Sequence, residues 1–238
     1  MREKIKYFFS VNWIKTLYFN FKMFPFSVAL QLPVYFYGKV AFRSLQGKIT
    51  ITAPIKRAMI GFGQSYEVFK SSKGTAELYL DGEITFNGYT QFGKDCLVYV
   101  SNNAKLEFGN MSSLGSNGKI LCYHKITLGD YARIGFESQL MDTTAHQMIN
   151  TNTQEKYPMF SPIAIGNFNY ISNRVTILAK TKTPDYCSIA SNSLCSKDYT
   201  SFGENILIGG IPATLIKENI SRDWENEMVN MKKWLNIK

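Results

Sequence analysis

The chain has 238 residues and a formal net charge of +9 at pH 7, with 45% hydrophobic and 19% charged residues. This composition excludes a disordered chain, and the length provides enough apolar residues for a domain with a sizeable core. The sequence contains only two histidines and four cysteines, and no two cysteines form a C-x-x-C pair. A three-histidine zinc site and a zinc ribbon are therefore excluded, and no bound metal is expected.

Most of the surplus charge lies at the start of the chain. Residues 1–50 contain eight Lys or Arg residues, a single acid and 13 of the 34 aromatic residues. We interpret residues 1–45 as a basic, aromatic N-terminal segment. Two interpretations stay open: a cap that covers the first strand edge of the following domain, or an arm that contacts an anionic membrane surface. The basic residues form no dense cluster and match no nucleic-acid-binding motif, so no nucleic-acid partner is expected.

The same segment predicts neither a membrane-spanning helix nor a secretory signal. Its uncharged run, residues 23–38, has 16 residues and is interrupted by Pro25 and Pro33, whereas a span needs roughly 20 apolar residues. Lys15 and Lys22 interrupt any apolar signal core. We therefore expect a cytoplasmic protein with reduced cysteines, and membrane contact would place it at the inner membrane surface.

From about residue 46 onward, short aliphatic motifs recur at intervals typical of stacked coils. An aliphatic–x–apolar triplet followed by Gly or Asn begins at Ile84, Leu106, Ile126 and Ile163. The last residues of successive triplets are 22, 20 and 37 residues apart, and the longest step corresponds to two coils. Residues 46–217 are therefore predicted to form one domain of stacked coils.

A repeat of six residues lies within these coils. Hexads begin at Leu128, Ile134 and Leu140, and again at Ile165 and Ile171. Each hexad is expected to form one short strand and one turn, with its aliphatic residue pointing inward onto the equivalent residue of the next coil. The Gly, Asn and Asp residues of the hexads are expected to occupy the positive-φ corners between faces. The pattern predicts an all-β fold of parallel coils.

The last segment, residues 218–238, has a different pattern. Trp224, Met228, Met231 and Leu235 follow helical spacing, with acidic residues early and lysines late, which suits the helix dipole. We predict a C-terminal α-helix that covers the coil stack or contacts another subunit.

Three stretches of the chain form a pattern shared with a known family. They are the hexads at 128–145 and 165–194, the stretch 184–198 with its Lys-Asp ending, and the sequence Gly-Ile-Pro-Ala-Thr-Leu-Ile at 210–216. Together they resemble the hexapeptide-repeat acyltransferases, especially acetyl-CoA-dependent O-acetyltransferases of sugars and bacterial polysaccharides. The resemblance implies a left-handed parallel β-helix, a homotrimer, acetyl-CoA as co-substrate and a saccharide acceptor.

The resemblance also implies a general base at His146. This histidine follows Asp142 in a pattern similar to the family's D-x-D-x-H, in which Asp142 matches the first acid and Thr144 replaces the second. A histidine can take the proton from a sugar hydroxyl as that hydroxyl attacks the thioester, with no covalent intermediate. Residues 147–162 break the hexads and are predicted to form an extruded lid or acceptor-binding loop. His124 matches no motif and is predicted to be structural or to lie on the substrate side.

Coenzyme contacts are implied by position in the last coils. Ser172, Ala190 and Ser191 would line the pantetheine channel, and Lys197 would face the coenzyme phosphates. Cys187 occupies the small inward slot of its hexad, which argues against a nucleophilic role. Two other functions stay open: an N-acetyltransferase of a nucleotide-linked amino sugar, and a non-catalytic β-helix scaffold.

Overall fold

The computed structural model describes residues 7–65, 67 and 74–234, the last three without their side chains. The α-helices are α1 (Trp13–Met23), α2 (Phe26–Ala29) and α3 (Trp224–Trp234), and residues 7–10 are also helical. A short 3-10 helix spans Thr200–Phe202. The strands are β1 (Val34–Phe36), β2 (Val40–Leu45), β3 (Lys48–Ile51), β4 (Ile60–Gln64), β5 (Ala76–Leu80), β6 (Glu83–Phe86), β7 (Thr90–Gly93), β8 (Leu97–Val100), β9 (Lys105–Phe108), β10 (Ser112–Leu114), β11 (Lys119–Cys122), β12 (Lys125–Leu128), β13 (Arg133–Ile134), β14 (Gln139–Met141), β15 (Ile163–Ile165), β16 (Tyr170–Ile171), β17 (Thr176–Leu178), β18 (Ser188–Ile189), β19 (Leu194–Cys195), β20 (Ile206–Gly210) and β21 (Ala213–Glu218).

These strands form three sheets that the chain visits in turn. The nine-stranded sheet has the order β1-β4-β7-β10-β13-β16-β18-β20-β21, the seven-stranded sheet β19-β17-β14-β11-β8-β5-β2, and the five-stranded sheet β15-β12-β9-β6-β3. Neighbouring strands are parallel until the last pair, in which β21 runs antiparallel to β20. Three strands therefore make one coil of a three-sided prism, and the predicted left-handed parallel β-helix is confirmed.

The coil stack begins before residue 46. Strands β1 and β2 lie within residues 34–45, which the sequence analysis assigns to the N-terminal segment. All three residues of β1 are buried. Because a half-buried strand is recognised in a sequence by alternating apolar and polar residues, this strand is hard to predict from the sequence. The first coil consists of β1, β2 and β3.

The core is the interior of the prism, where inward side chains stack on equivalent residues of the next coil. Ile120 of β11 pairs in register with Val98 of β8 on one side and Leu140 of β14 on the other. All three side chains are buried. A single coil buries little apolar surface, so the stability of the prism comes from this repeated stacking.

The corners of the prism repeat every six residues, but the glycines do not form them. Positive φ angles occur at Tyr131 and Glu137, two positions after Gly129 and Gly135, and neither glycine has a positive φ. For the glycines, the expectation of positive-φ corners is therefore wrong. A Cβ on Gly129 would lie 2.6 Å from the backbone carbon of Gly166 in the next coil, so these glycines permit the close approach of successive coils.

One edge of the prism is covered by α3, as the sequence predicts. The rings of Tyr131, Phe168 and Tyr186 stack in successive coils with centroids 5.0 and 4.9 Å apart. Trp224 of α3 packs against the Phe168 ring with its centroid 5.7 Å away, and Met231 is buried in the same cluster. The aromatic column gives the helix an apolar docking surface.

The other end of the stack is closed by α1. The Phe19 side chain is buried against Phe36, with ring centroids 4.8 Å apart. The Phe36 N–H donates to Thr16 Oγ1, and Asn20 both donates to the Val34 carbonyl and accepts from the Val34 N–H. Helix α1 thus pairs the otherwise open backbone edge of β1, which is the arrangement that the cap interpretation predicts. No helix in the described part of the chain has the length and hydropathy needed to cross a membrane.

Candidate functional site

The most prominent irregularity of the prism is a loop at the edge between the seven-stranded and five-stranded sheets. The chain leaves the coil after β14 and returns to it at β15, in the fifth coil. The loop is internally bonded: the Thr144 N–H donates to the Met159 carbonyl at 3.0 Å, and the Tyr157 N–H donates to the Met148 carbonyl at 2.9 Å. The extrusion predicted for residues 147–162 is present, and its neck begins at residue 143.

His146 lies in the first part of this loop, shortly after β14, and is exposed. Its backbone carbonyl accepts a hydrogen bond of 2.8 Å from Thr144 Oγ1. Thr144, the residue that replaces the family's second acid, therefore fixes the backbone at the histidine. The preceding residue, Ala145, has a φ of 60° and donates its N–H to Thr143 Oγ1. Together these contacts hold a short, tightly turned segment that presents the imidazole to solvent.

Asp142 does not hydrogen-bond the His146 imidazole. Its carboxylate is fully buried and accepts the backbone N–H groups of Tyr123, His124 and Lys125, each at 2.8 Å. Tyr123 and His124 form the turn between β11 and β12 in the fourth coil, and Lys125 is the first residue of β12. The geometry makes Asp142 a buried cap of that turn, and its catalytic role stays a prediction.

The same contacts bring the two histidines to one edge of the prism. The Ser161 N–H donates to the Asp142 carbonyl at 3.0 Å, which closes the neck of the loop, while the Asp142 side chain fastens the turn that contains His124. His124 is exposed on the coil directly beneath the loop. No sequence motif places His124 near His146, but the 20-residue step from Cys122 to Asp142 is one coil and indicates this proximity.

A column of tyrosines leads along the seven-stranded sheet to this edge. Tyr79 and Tyr99 are half-buried and Tyr123 is exposed, with ring centroids 5.4 and 5.1 Å apart. Burial, together with the neighbouring Tyr99, raises the pKa of Tyr123. These rings form a partly exposed aromatic surface that ends beside His124.

The predicted coenzyme residues are divided between two edges. Ser172 and Ser191 meet where the nine-stranded and seven-stranded sheets join, with their hydroxyls 2.7 Å apart. Ser191 also donates to Asn173 Oδ1 at 2.6 Å. Ala190 precedes this pair, and its N–H donates to the Ile208 carbonyl. Three of the four predicted contacts are therefore adjacent in space.

Lys197 lies at the other edge of the seven-stranded sheet, where this sheet adjoins the five-stranded one. Its coil is two coils beyond the coil that bears the loop. It is exposed, with its Nζ 5.5 Å from the Tyr199 ring centroid and 5.7 Å from the Phe202 centroid. Nearby, Lys182 pairs with Asp198 at 3.2 Å. The hydrogen bonds from Thr200 are the main cause of the lowered pKa of the Asp198 carboxyl, and Lys182 adds to it.

The cysteines take no part in the surface chemistry. All four are buried free thiols. Burial raises the pKa of Cys187 and of Cys195 to about 12, so both are neutral thiols near pH 7 and poor nucleophiles. Within residues 7–65, 67 and 74–234, no group of three or more His, Cys, Asp or Glu side chains is arranged to hold a metal ion.

No family model matches the chain, and no curated protein matches it. Among solved structures, the chain is similar to the polySia-specific acetyltransferase NeuO, with 16% identity, 80% of this chain and 78% of that chain covered, and a TM-score of 0.49. It is also similar to the polysialic acid O-acetyltransferase OatWY, with 18% identity, coverage of 83% and 97%, and a TM-score of 0.46.

A third similar structure is AntD, an N-acyltransferase from Bacillus cereus in complex with dTDP and 3-hydroxybutyryl-CoA. The identity is 11%, the coverage is 85% of this chain and 88% of that chain, and the TM-score is 0.46. Neither these identities nor these TM-scores assign an activity or a substrate to this chain.

Proposed function

We propose that this chain is an acyltransferase that moves the acetyl group of acetyl-CoA to a hydroxyl of a saccharide, either a bacterial surface polysaccharide or a lipid-linked saccharide. His146 is the general base of this proposal, and the transfer is direct. The observation that supports it best is the exposed imidazole on an internally bonded loop at one edge of a β-helix. The motif resemblance at residues 142–146 and 210–216 adds to it.

Direct acetyl transfer requires a general base positioned next to the acceptor hydroxyl. The imidazole takes the proton of the acceptor hydroxyl while the oxygen attacks the thioester carbonyl. The C–S bond then breaks, and the coenzyme leaves as a thiol that takes up the same proton. Thr144 supports this step by holding the backbone at His146. Asp142 supports it indirectly, because its buried carboxylate fixes the coil beneath the loop.

The acceptor is expected to approach along the tyrosine column. Tyr99 and Tyr123 present partly exposed ring faces that end at the edge with both histidines. Aromatic side chains combine a broad apolar face with a polar tip, and such a surface suits a sugar ring with apolar C–H faces and hydroxyl edges. The extruded loop at 143–162 would then lie beside the bound saccharide.

We expect acetyl-CoA to bind along the last coils, where the predicted contacts lie at both edges of the seven-stranded sheet. The hydroxyls of Ser172 and Ser191 offer hydrogen-bonding groups to the amides of a pantetheine arm, and Ala190 directly precedes Ser191. The exposed ammonium group of Lys197 suits a phosphate. The homotrimer and the cytoplasmic location expected from the sequence stay predictions.

The test is a thiol-release assay with acetyl-CoA and two sets of acceptors, oligosaccharides with free hydroxyls and nucleotide-linked amino sugars. We expect release with the hydroxyl acceptors and a loss of about 10²- to 10⁴-fold in His146→Ala. His124→Ala is the matched control, since it removes the neighbouring imidazole at the same edge. Release with amine acceptors alone would establish the N-acetyltransferase, and an unchanged rate in His146→Ala would refute the assigned base. No binding of acetyl-CoA would leave the scaffold interpretation.

A further inference from the structure

Helix α1 has an inner face that the fold buries and an outer face that is apolar and exposed. Its inner face closes the prism through Phe19, Thr16 and Asn20, all fully or almost fully buried. Its outer face presents large apolar side chains to solvent, and Phe26 and Leu30 of the adjoining α2 region extend it. We name this surface the end patch; it consists of Ile14, Leu17, Tyr18, Phe21, Phe26 and Leu30.

The exposure of the end patch is unusual for a folded domain. Ile14 is 81% exposed and Phe26 is 70% exposed. The Phe21 and Phe26 rings lie 5.9 Å apart, so side chains from both helices form one continuous surface. Contiguous apolar patches of this kind mark places where a protein meets a partner or a membrane.

The charge around the end patch identifies the kind of partner. Residues 7–65 contain seven Lys or Arg residues and no Asp or Glu, and two of these cations, Arg43 and Lys48, pair with Glu77 and Glu83. Lys22 and Lys39 are exposed, and Lys15 lies over the Phe42 ring at 4.8 Å. A second copy docked through the same patch would bring these cations together, and a nucleic acid would meet apolar side chains where phosphates need donors. An anionic lipid surface satisfies both features, because it accepts apolar side chains and attracts lysines.

We propose that the end patch inserts into the interface of an anionic lipid membrane, so that the β-helix stands with its capped end on the bilayer. Coils are spaced about 4.8 Å apart, and the loop with His146 leaves the fifth coil. The coil that bears the histidine therefore lies four steps, about 20 Å, beyond the first coil, and α1 lies between that first coil and the bilayer. A membrane-attached protein in this orientation would reach a substrate that projects from the bilayer rather than one lying at its surface.

Point substitutions test this better than truncation. Removing the N-terminal segment would delete Phe19 and strands β1 and β2, and with them the first coil. The double variant Ile14→Ser/Phe26→Ser changes only exposed side chains. Its matched control is Ile216→Ser/Val229→Ser, which removes two exposed apolar side chains, 57% and 55% exposed, from C-terminal elements.

The assay is co-sedimentation of the full chain with vesicles of phosphatidylcholine alone or of phosphatidylcholine with phosphatidylglycerol. We expect binding to the anionic vesicles at low salt, at least a tenfold loss of partitioning for Ile14→Ser/Phe26→Ser, and about a fivefold loss for Lys22→Gln. The control variant should bind like the unaltered protein.

Three results would overturn the proposal. They are no binding to the anionic vesicles, unchanged binding by Ile14→Ser/Phe26→Ser, or a change of oligomeric state in that variant by light scattering, which would show that a second copy covers the patch. None of these measurements involves acetyl transfer, so failure here is distinct from failure of the proposed enzyme function.

Discussion

The buried carboxylate of Asp142 leads to a prediction about stability rather than rate. In Asp142→Asn, one side-chain oxygen still accepts, but the amide group faces N–H groups that now have no acceptor. The three donors are those of Tyr123, His124 and Lys125, each at 2.8 Å. Because a hydrogen bond to a charged group contributes roughly 1.5–3 kcal/mol, the loss of one to two such bonds gives a destabilisation of about 3 kcal/mol.

The matched control is Asp130→Asn at another edge of the prism. Asp130 is exposed, and its side chain accepts one N–H, that of Asn110, at 2.7 Å. We expect its loss to be about 1 kcal/mol or less. Urea unfolding of both variants measures the difference, and amide hydrogen exchange should show faster exchange at residues 123–125 in Asp142→Asn alone.

A different outcome would refute this reasoning. If Asp142→Asn unfolds at the same urea concentration as the unaltered chain but transfers acetyl groups much more slowly, then Asp142 acts on the chemistry, as its place in the motif implies. The capping role is supported if Asp142→Asn loses both stability and protection from amide exchange at the turn. The rate of acetyl transfer should then fall only as far as the loss of folded protein explains.

The other predictions concern the end closed by α1, the edge covered by α3, and the thiols. Phe19→Ala should destabilise the chain by about 3–5 kcal/mol, because it leaves a cavity where the buried ring closes the end of the prism. Urea unfolding measures the loss, with Phe9→Ala at an exposed ring as the control. Trp224→Ala should release α3 from the aromatic column, and amide hydrogen exchange should then be faster in α3 with little change in β11. Exchange in α3 as slow as in the unaltered chain would contradict the packing. Burial raises the pKa of Cys187 and Cys195 to about 12, so the reactive thiolate appears only as pH rises toward that value. A thiol reagent at pH 8 should therefore react with the folded chain slowly and with four thiols once urea is added, and rapid reaction in the folded state would contradict the burial.

The central coils were predictable because their packing is periodic. Leu128, Ile134 and Leu140 are six residues apart, and each one points into the prism. The corners were harder to predict. A left-handed conformation costs a non-glycine residue about 1–2 kcal/mol, which argues against aromatic residues there, yet Tyr131 and Phe168 adopt it. Stacking of these rings between coils and against α3 offsets the local strain, and such a contact is not visible in a local pattern.

The candidate site was predictable in part. The position of His146 on an extruded loop follows from the point where the hexads stop. The separation of Asp142 from the imidazole does not, because the motif records which residues are near in sequence and not where a carboxylate points. The partner of Asp142 is a turn 17 to 19 residues earlier in the chain. The sequence left two interpretations of the N-terminal segment open for the same reason. Its aromatic residues lie on two opposite faces of α1, and composition alone does not separate the face that closes the prism from the face that meets solvent.

The two ends of the coil stack differ from the coils between them, and this has a consequence for how such a chain can change in length. Helix α1 seals one end and the antiparallel β21 follows the final parallel strand at the other, while the coils between them repeat the same backbone geometry. A whole coil could therefore be inserted or deleted without altering either end, whereas a shorter insertion within a face would turn every later residue to a different side. Each added coil before β13 would move His146 about 4.8 Å further from the capped end. The number of coils thus acts as a ruler that sets the height of the loop above whatever surface the capped end rests on.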